Sequence, residues 1–494
     1  MLKNPTSPEN RFLYLTVWSF QVSKPDDLHL YAQQAKKAGF QGIGLIINWD
    51  RIQPERGKFD WTWLDECLDI LVEEDVQLAL GLMFWTGPLP WADELCVMQT
   101  AQGQPYVFDS QRGSTLCLNN PETLSVARDT IAAWAEHTSQ RYGKRIVKYS
   151  THFSVYGEVE YSPVGIALDF SPSEQAAFRA YMHARAGGLE AINRDYNLEL
   201  ADWAAFDAMP VTDLVAISRY DWMQFKTATL VNINRMVVST VREYAPDTLV
   251  AMQVGSIWDE AAATARGTYD AYRISREVDM LHIDDAPGWP HDFSLDMTSS
   301  LTPGRLLAQE LDGAQHKGAL PDAYLRQAEM TGAAAVHTMN TANLSAGAFI
   351  EWRKRLFDFY PELFLHGAVR PAAPQERAIL FNTADFITRQ PSGAQSLVLE
   401  STYRSLSGEA GERVRFVSDS MILENPALLS ELTEGLYLGD AGTMRFEVAV
   451  AEALASAECP IYADRAVPKI SDPFGHALPG DLEERLVARI QVAP

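Results

Sequence analysis

Two short glutamate segments carry side chains suited to acid–base chemistry on a sugar. One is Ser154-Val155-Tyr156-Gly157-Glu158-Val159-Glu160-Tyr161; the other is Leu307-Ala308-Gln309-Glu310-Leu311-Asp312-Gly313. Two carboxyls delivered to one pocket can cleave a glycosidic bond. One protonates the departing oxygen, and the other attacks the anomeric carbon or activates water. The chain holds 65 acidic residues, and most such groups are solvated surface charges. A glutamate just after a strand can also cap a helix or pair with an arginine. The elements around the two segments therefore decide what they can do.

Those elements alternate. Near-continuous apolar stretches read as buried strands at Phe12–Trp18, Gly42–Trp49, Gln77–Trp85, Ile146–Tyr156, Leu249–Val254, Val278–Ile283, Arg305–Gln309 and Ala334–Met339. Between them, helical spacing appears at Asp26–Gly39, at Trp61–Asp75 (Trp61, Leu64, Leu68, Leu71) and at Pro121–Tyr142. Eight such strands separated by helices predict a parallel sheet closed as a (β/α)₈ TIM barrel. Its chemistry would gather at the C-terminal strand ends, where strands four and seven carry Glu158 and Glu310. A long loop over 86–120, rich in Gly and Pro, fits a functional role. The predicted domains are a catalytic barrel over 1–370, with a helical insertion at about 165–245, and a small α/β domain with its tail over 371–494. Val369-Arg370-Pro371-Ala372-Ala373-Pro374 reads as the linker. Short strands are expected at Ala378–Phe381, Val414–Val417, Gly435–Leu438 and Pro460–Tyr462, and the pattern weakens beyond Ala466.

Composition excludes several functions. A net charge of −24 repels nucleic acid and anionic membranes. No apolar run approaches the ~20 residues of a membrane span. The first residues lack an apolar signal core, which predicts a cytoplasmic protein. Cys67, Cys96, Cys117 and Cys459 form no CxxC pair and suit neither a disulfide framework nor a zinc cluster. His152, His282 and His337 fall in strands four, six and eight, where buried core histidines are the expected reading. Neither a metal nor a cofactor is expected: HExxH, Walker and strand-to-helix GxGxxG patterns are missing. So is GxSxG, the mark of a serine hydrolase.

Aromatic faces stack on sugar rings, and Trp18, Trp49, Trp85 and Trp91 stand where strands should end. Candidate substrate-binding residues are Trp49, Asp50, Trp85, Trp91, Arg112, Tyr156, Glu160, Asp285 and Trp289. Asp50 could bond hydroxyls or cap the next turn. Asp284 and Asp285 end strand six. Residues two apart on a strand face the same way, so periodicity does not separate Glu158 from Glu160.

The stretch from Asn48-Trp49-Asp50-Arg51-Ile52-Gln53-Pro54-Glu55-Arg56-Gly57-Lys58-Phe59-Asp60-Trp61 to Leu64-Asp65 resembles the second-strand signature of glycoside hydrolase family 42. Leu82 to Trp91 is similar to that family's third-strand end. Phe178-Arg179-Ala180-Tyr181, Leu189 to Asn193 and Trp203 resemble its helical insertion. Val278 to Pro287 resembles its sixth strand, and Gln309 to Gly313 its nucleophile segment. The resemblance implies Glu158 as general acid/base and Glu310 as nucleophile of a retaining, exo-acting, β-galactosidase-like enzyme. It also implies a substrate contact for Arg112, a C-terminal flavodoxin- or amidotransferase-like domain, and a homo-oligomer, a trimer. The sequence departs from the pattern in three ways. Gly157 stands where the family has asparagine, Gly-Glu-x-x-Tyr also resembles the acid segment of the inverting β-amylases, and the family's cysteine zinc cluster has no counterpart. A divergent relative or a new family is thus implied. An inverting or transglycosylating barrel, or a glycan-binding barrel without catalysis, remains open.

Overall fold

The structure is a computed structural model. It describes residues 12–37, 41–161, 167–217, 219–255, 257–283, 291–311, 336–340, 373–388, 394–408, 412–439, 443–464 and 469–493. Eight parallel strands close into a barrel: β1 (Phe12–Trp18), β2 (Gly42–Asn48), β3 (Gln77–Met83), β4 (Ile146–His152), β5 (Leu249–Val254), β6 (Met280–Ile283), β7 (Leu306–Leu311) and β8 (Val336–Asn340). Closure comes from β1 lying beside β8, with Phe12 opposite Val336 and Thr16 opposite Asn340.

Alternation along the strands sorts the side chains. Leu15, Val17, Ile43, Leu45, Leu78 and Leu80 point out of the barrel and join the main apolar core under the helices. One such helix, Thr62–Glu73, buries Leu64, Cys67, Leu68 and Leu71 on one face. The opposite set faces inward and is more polar. Tyr14, Thr16, Gly44, Ile46, Ala79, Gly81, Lys148, Ser150, His152, Gln253 and His282 line the interior.

Between β4 and β5 lie the helices Pro172–His183, Gly188–Tyr196, Trp203–Ala208, Val211–Ile217 and Arg219–Tyr244. The first is capped by Ser171, whose hydroxyl accepts from Glu174 N. The strand expected over 146–156 is shorter than its apolar pattern, because pairing with β3 and β5 stops by His152 and a turn follows.

The C-terminal unit holds a five-stranded parallel sheet. Its strands are β9 (Arg377–Phe381), β10 (Arg415–Ser418), β11 (Gly435–Tyr437), β13 (Ile461–Ala463) and β15 (Ile490–Val492), in the order β10-β9-β11-β13-β15. Renumbered within the sheet, that is the flavodoxin-like order 2-1-3-4-5. A separate parallel pair joins β12 (Thr443–Arg445) to β14 (Lys469–Ser471). The tail beyond Ala466, weak in pattern, thus supplies β14, the helix Leu482–Arg489 and the edge strand β15. The unit docks on the barrel through polar contacts. Asp296 accepts from Tyr403 Oη, Arg413 Nε and Val414 N. Ser396 Oγ accepts from Glu260 N and donates to the Trp258 carbonyl. Of the expected linker, 369–372 lie outside the described residues. No helix among the described residues is long and apolar enough to cross a membrane.

Candidate active site

Glu158 stands six residues beyond the end of β4, on a chain segment that folds back over the strand. Its carbonyl accepts from both Phe153 N and Ser154 N, at 3.0 and 2.8 Å, so the turn closes on itself. Gly157 makes this possible. Its φ is +104°, a conformation costly for residues with a Cβ. A Cβ there would also lie 3.2 Å from the Trp18 ring. An asparagine side chain at 157 would have to occupy that space, which gives a physical reason for the glycine. His152 Nδ1–H donates to the Gly157 carbonyl from below, and Ser150 Oγ donates to His152 Nε2. Burial pushes His152 down to about 4, so the ring is neutral near pH 7. Val159 N then bonds the carbonyl of Gln253 at the end of β5.

The Glu158 side chain is 4% exposed. Ser154 Oγ lies 3.3 Å from Glu158 Oε2 and 3.4 Å from Glu160 Oε1, so one hydroxyl faces both carboxylates. Glu160 differs in its surroundings. It is fully buried, and Arg266 Nη1 lies 3.3 Å from its Oε2. Arg266 closes the helix Glu260–Arg266, its carbonyl accepts from Tyr161 N, and its guanidinium lies 5.9 Å from the centre of the Tyr156 ring. Glu160 and Arg266 thus form an internal ion pair that fixes the segment. The two glutamates share no strand periodicity, because neither is in a strand.

Glu310 lies in β7, one residue from its end and opposite Thr338 of β8. Its side chain lies outside the described residues, as do Asp284, Asp285 and Trp289. The backbones of Glu158 and Glu310 stand at the same C-terminal rim of the barrel.

The tryptophans divide. Trp49 is fully buried, packs edge-on against Phe84 and Trp91, and donates to Gln53 Oε1. Trp91 is buried beside it and donates to the Gln53 carbonyl. The expected sugar contact at Trp49 is corrected to core packing, since that residue is fully buried; Trp91 is buried to the same degree as Trp85. Trp85 stacks on Trp18, with ring centres 5.9 Å apart and planes 15° from parallel, and donates to the Ser154 carbonyl. Phe20 stacks on Trp85 at 5.9 Å and is 51% exposed. Arg112 lies 5.3 Å from the Trp85 ring centre and donates to the Val155 carbonyl. Tyr156 packs edge-on against Phe108. The result is an aromatic shelf beside the Glu158 turn. Asp50, on the turn after β2, keeps Oδ1 buried without a hydrogen bond, and burial raises its pKa. Sequence reasoning missed Phe20 and Arg266, and named His152 as a buried core histidine without its bond to Gly157. An aromatic two residues past a strand end was the one available signal for Phe20.

A second polar cluster is tied to the Glu158 segment through Tyr161. Cys117, Asp169 and Glu174 bring potential ligand atoms within 4.8 Å of one another. Their oxygens are already engaged. Asp169 accepts from Gln99 N, Ser171 N and Ser171 Oγ, and Glu174 accepts from Asn119 Nδ2 and Tyr161 Oη. Burial pushes Glu174 up to about 8, which favours a proton rather than a free carboxylate. The set reads as a hydrogen-bonded hub that ties the long loop to the insertion.

Comparison with known proteins agrees with this layout. The family model described as beta-galactosidase, for glycoside hydrolase family 42, matches residues 20–312, more than half of the chain. Beta-galactosidase BgaA of Thermus sp. is 24% identical over 270 residues. That alignment covers 52% of this chain but only 38% of the relative, so the chain matches less than half of that protein's length. Among solved structures, beta-galactosidase from Bacillus circulans sp. alkalophilus superposes with a TM-score of 0.72 at 17% identity, over 98% of this chain and 74% of that one. The catalytic domain of beta-amylase from Paenibacillus polymyxa gives 0.57 at 15% identity, over 71% and 98%. The structural matches establish a shared fold, and the extent of the family match establishes membership: this chain belongs to glycoside hydrolase family 42.

Proposed function

We propose that the protein is a retaining glycoside hydrolase, exo-acting on β-galactosides, with Glu310 as nucleophile and Glu158 as general acid/base. The observation that carries this reading is that β4 and β7 bring the two glutamate segments to one rim of a closed barrel. In the proposed reaction, Glu310 attacks the anomeric carbon while Glu158 protonates the leaving oxygen. Glu158 then deprotonates the water that releases the sugar. The Trp85–Phe20 shelf and Arg112 are the proposed sugar contacts, with Asp50 and Tyr156 nearby and Asp285 and Trp289 carried from the sequence. The same family reading suggests a homo-oligomer, a trimer, with a carbohydrate as its partner.

Aryl and alkyl β-galactosides offered to the wild type, Glu158→Ala and Glu310→Ala test the assignment. Glu310→Ala should lose turnover on every substrate, and azide should restore it as a glycosyl azide of inverted configuration. Glu158→Ala should lose about 10²–10⁴-fold on poor leaving groups and far less on activated ones. Wild-type turnover in either variant refutes the roles. Inversion is the second reading, motivated by the likeness of Gly157-Glu158-Val159-Glu160-Tyr161 to the acid segment of the inverting β-amylases. Retention needs carboxyls about 5–5.5 Å apart, inversion about 6.5–9.5 Å. The anomer released first decides between them.

A further inference from the structure

Two polar atoms at the barrel mouth have no partner among the described residues. Trp18 Nε1 and Asn48 Oδ1 are buried, in residues 6% and 8% exposed, and neither meets a hydrogen-bonding group of the described residues. A buried polar atom in a native fold is nearly always bonded, so each exception needs a cause.

Their place in the barrel supplies one. Tyr14 and Thr16 of β1, Gly44 and Ile46 of β2, and Ala79 and Gly81 of β3 face the interior. Side chains two apart share a face. Trp18, Asn48 and Met83 are therefore the next layer up, the topmost one on these strands. The register agrees: Trp18 stands opposite Ile46, and Asn48 opposite Met83. Asn48 is held there by its own N–H, which donates to Ser19 Oγ at 2.9 Å. The Trp18 ring also abuts Gly157, the residue before Glu158. The floor of the mouth thus presents one donor and one acceptor, both uncharged, next to the turn that carries Glu158.

We propose that Trp18 Nε1–H and Asn48 Oδ1 bind the sugar ring on which Glu158 acts. The indole donates to one hydroxyl oxygen, and the amide oxygen accepts from another hydroxyl. A neutral pyranoside fits this pair; an ionic ligand would find no counter-charge in either group. The inference rests on the glycosidase reading of the same rim and names two of its specificity determinants.

The test pairs enzyme variants with substrate variants. The aryl glycoside turned over fastest, and its monodeoxy analogues, are assayed with the wild type, Trp18→Phe, Asn48→Leu and Asn48→Ala. In the wild type, loss of the bonded hydroxyl should cost on the order of 10²-fold in kcat/KM. In the Asn48 variants the parent substrate should lose a similar factor, and the penalty for one particular deoxy position should vanish. Trp18→Phe should erase the penalty at a different position. Melting temperature separates this from misfolding: Asn48→Leu removes an unbonded polar atom, so its melting temperature should hold or rise while kcat/KM falls. Unchanged kcat/KM and unchanged deoxy penalties in all three variants would overturn the proposal. So would losses that follow a fallen melting temperature and fall equally on every analogue. Glu158→Ala, run alongside, keeps the two readings apart. If it is crippled while the Trp18 and Asn48 variants behave as wild type, only this inference fails. If it turns over every substrate normally, the glycosidase roles fail first.

Discussion

Beneath the turn that carries Glu158 lies a neutral imidazole with a fixed tautomer. The Gly157 carbonyl can only accept, so the His152 proton sits on Nδ1 and leaves Nε2 to accept from Ser150. An asparagine at 152 would keep a donor near the Nδ1 position, whereas a glutamine would reach toward Ser150 and leave the carbonyl alone. We predict that His152→Gln loses on the order of 10-fold more kcat on poor leaving groups than on activated aryl ones, because a small displacement of the acid matters most where protonation limits the rate. His152→Asn should stay closer to the wild type, and equal losses on both substrate types would refute a positioning role. At this scale the sequence was only partly legible. Glu158 and Glu310 stood out by type and place, but Trp49 and Trp85 looked alike. One is sealed by Phe84 and Trp91 and the other lies under an exposed Phe20, a difference made by packing across distant segments. His152 was read as a core histidine. Its buried position fits that reading, but its bond to Gly157 depends on a turn no local pattern announces.

At the scale of elements, the helix Glu260–Arg266 does for the Glu158 segment what strand pairing does elsewhere. The segment leaves β4 after His152 and keeps one backbone bond to a neighbouring strand, from Val159 N to the Gln253 carbonyl of β5. Arg266 adds an ion pair to Glu160 and a carbonyl bond from Tyr161 N. Removing one member of a buried pair strands the other, at a cost of about 3–5 kcal/mol. Arg266→Met should therefore lower unfolding free energy by roughly that amount in denaturant melts, and adding Glu160→Met should recover most of it. A double variant as unstable as the single one would count against the pair. The barrel strands were legible as buried runs because both faces of a parallel sheet are covered. The end of β4 was not, since Phe153, Val155 and Val159 are apolar and buried without being paired. β15 was missed because it has three residues and lies at a sheet edge, half-buried to exposed.

For the whole molecule, charge is buried where the two sheets' units meet. Asp419 accepts from Thr383 Oγ and Ala384 N, with Asp270 of the barrel and Glu447 as negative neighbours. Burial pushes its carboxyl up from 3.8 to about 7. An acid with a raised folded pKa keeps a proton that the unfolded chain has already lost, so its contribution to stability falls as pH rises between those two values and levels off above them. Melting temperature should show such a decline in the wild type, and Asp419→Asn should flatten it; an unchanged slope would place the effect elsewhere. The closure of the barrel carries a further consequence for how the protein is made. β1 pairs with β8, so the first barrel strand synthesised waits for the eighth. Until residue 340 clears the ribosome, the edge of β1 is an open template for unwanted partners. Trp18 sits at the tip of that waiting strand, so the mouth of the barrel is assembled only by the final stitch.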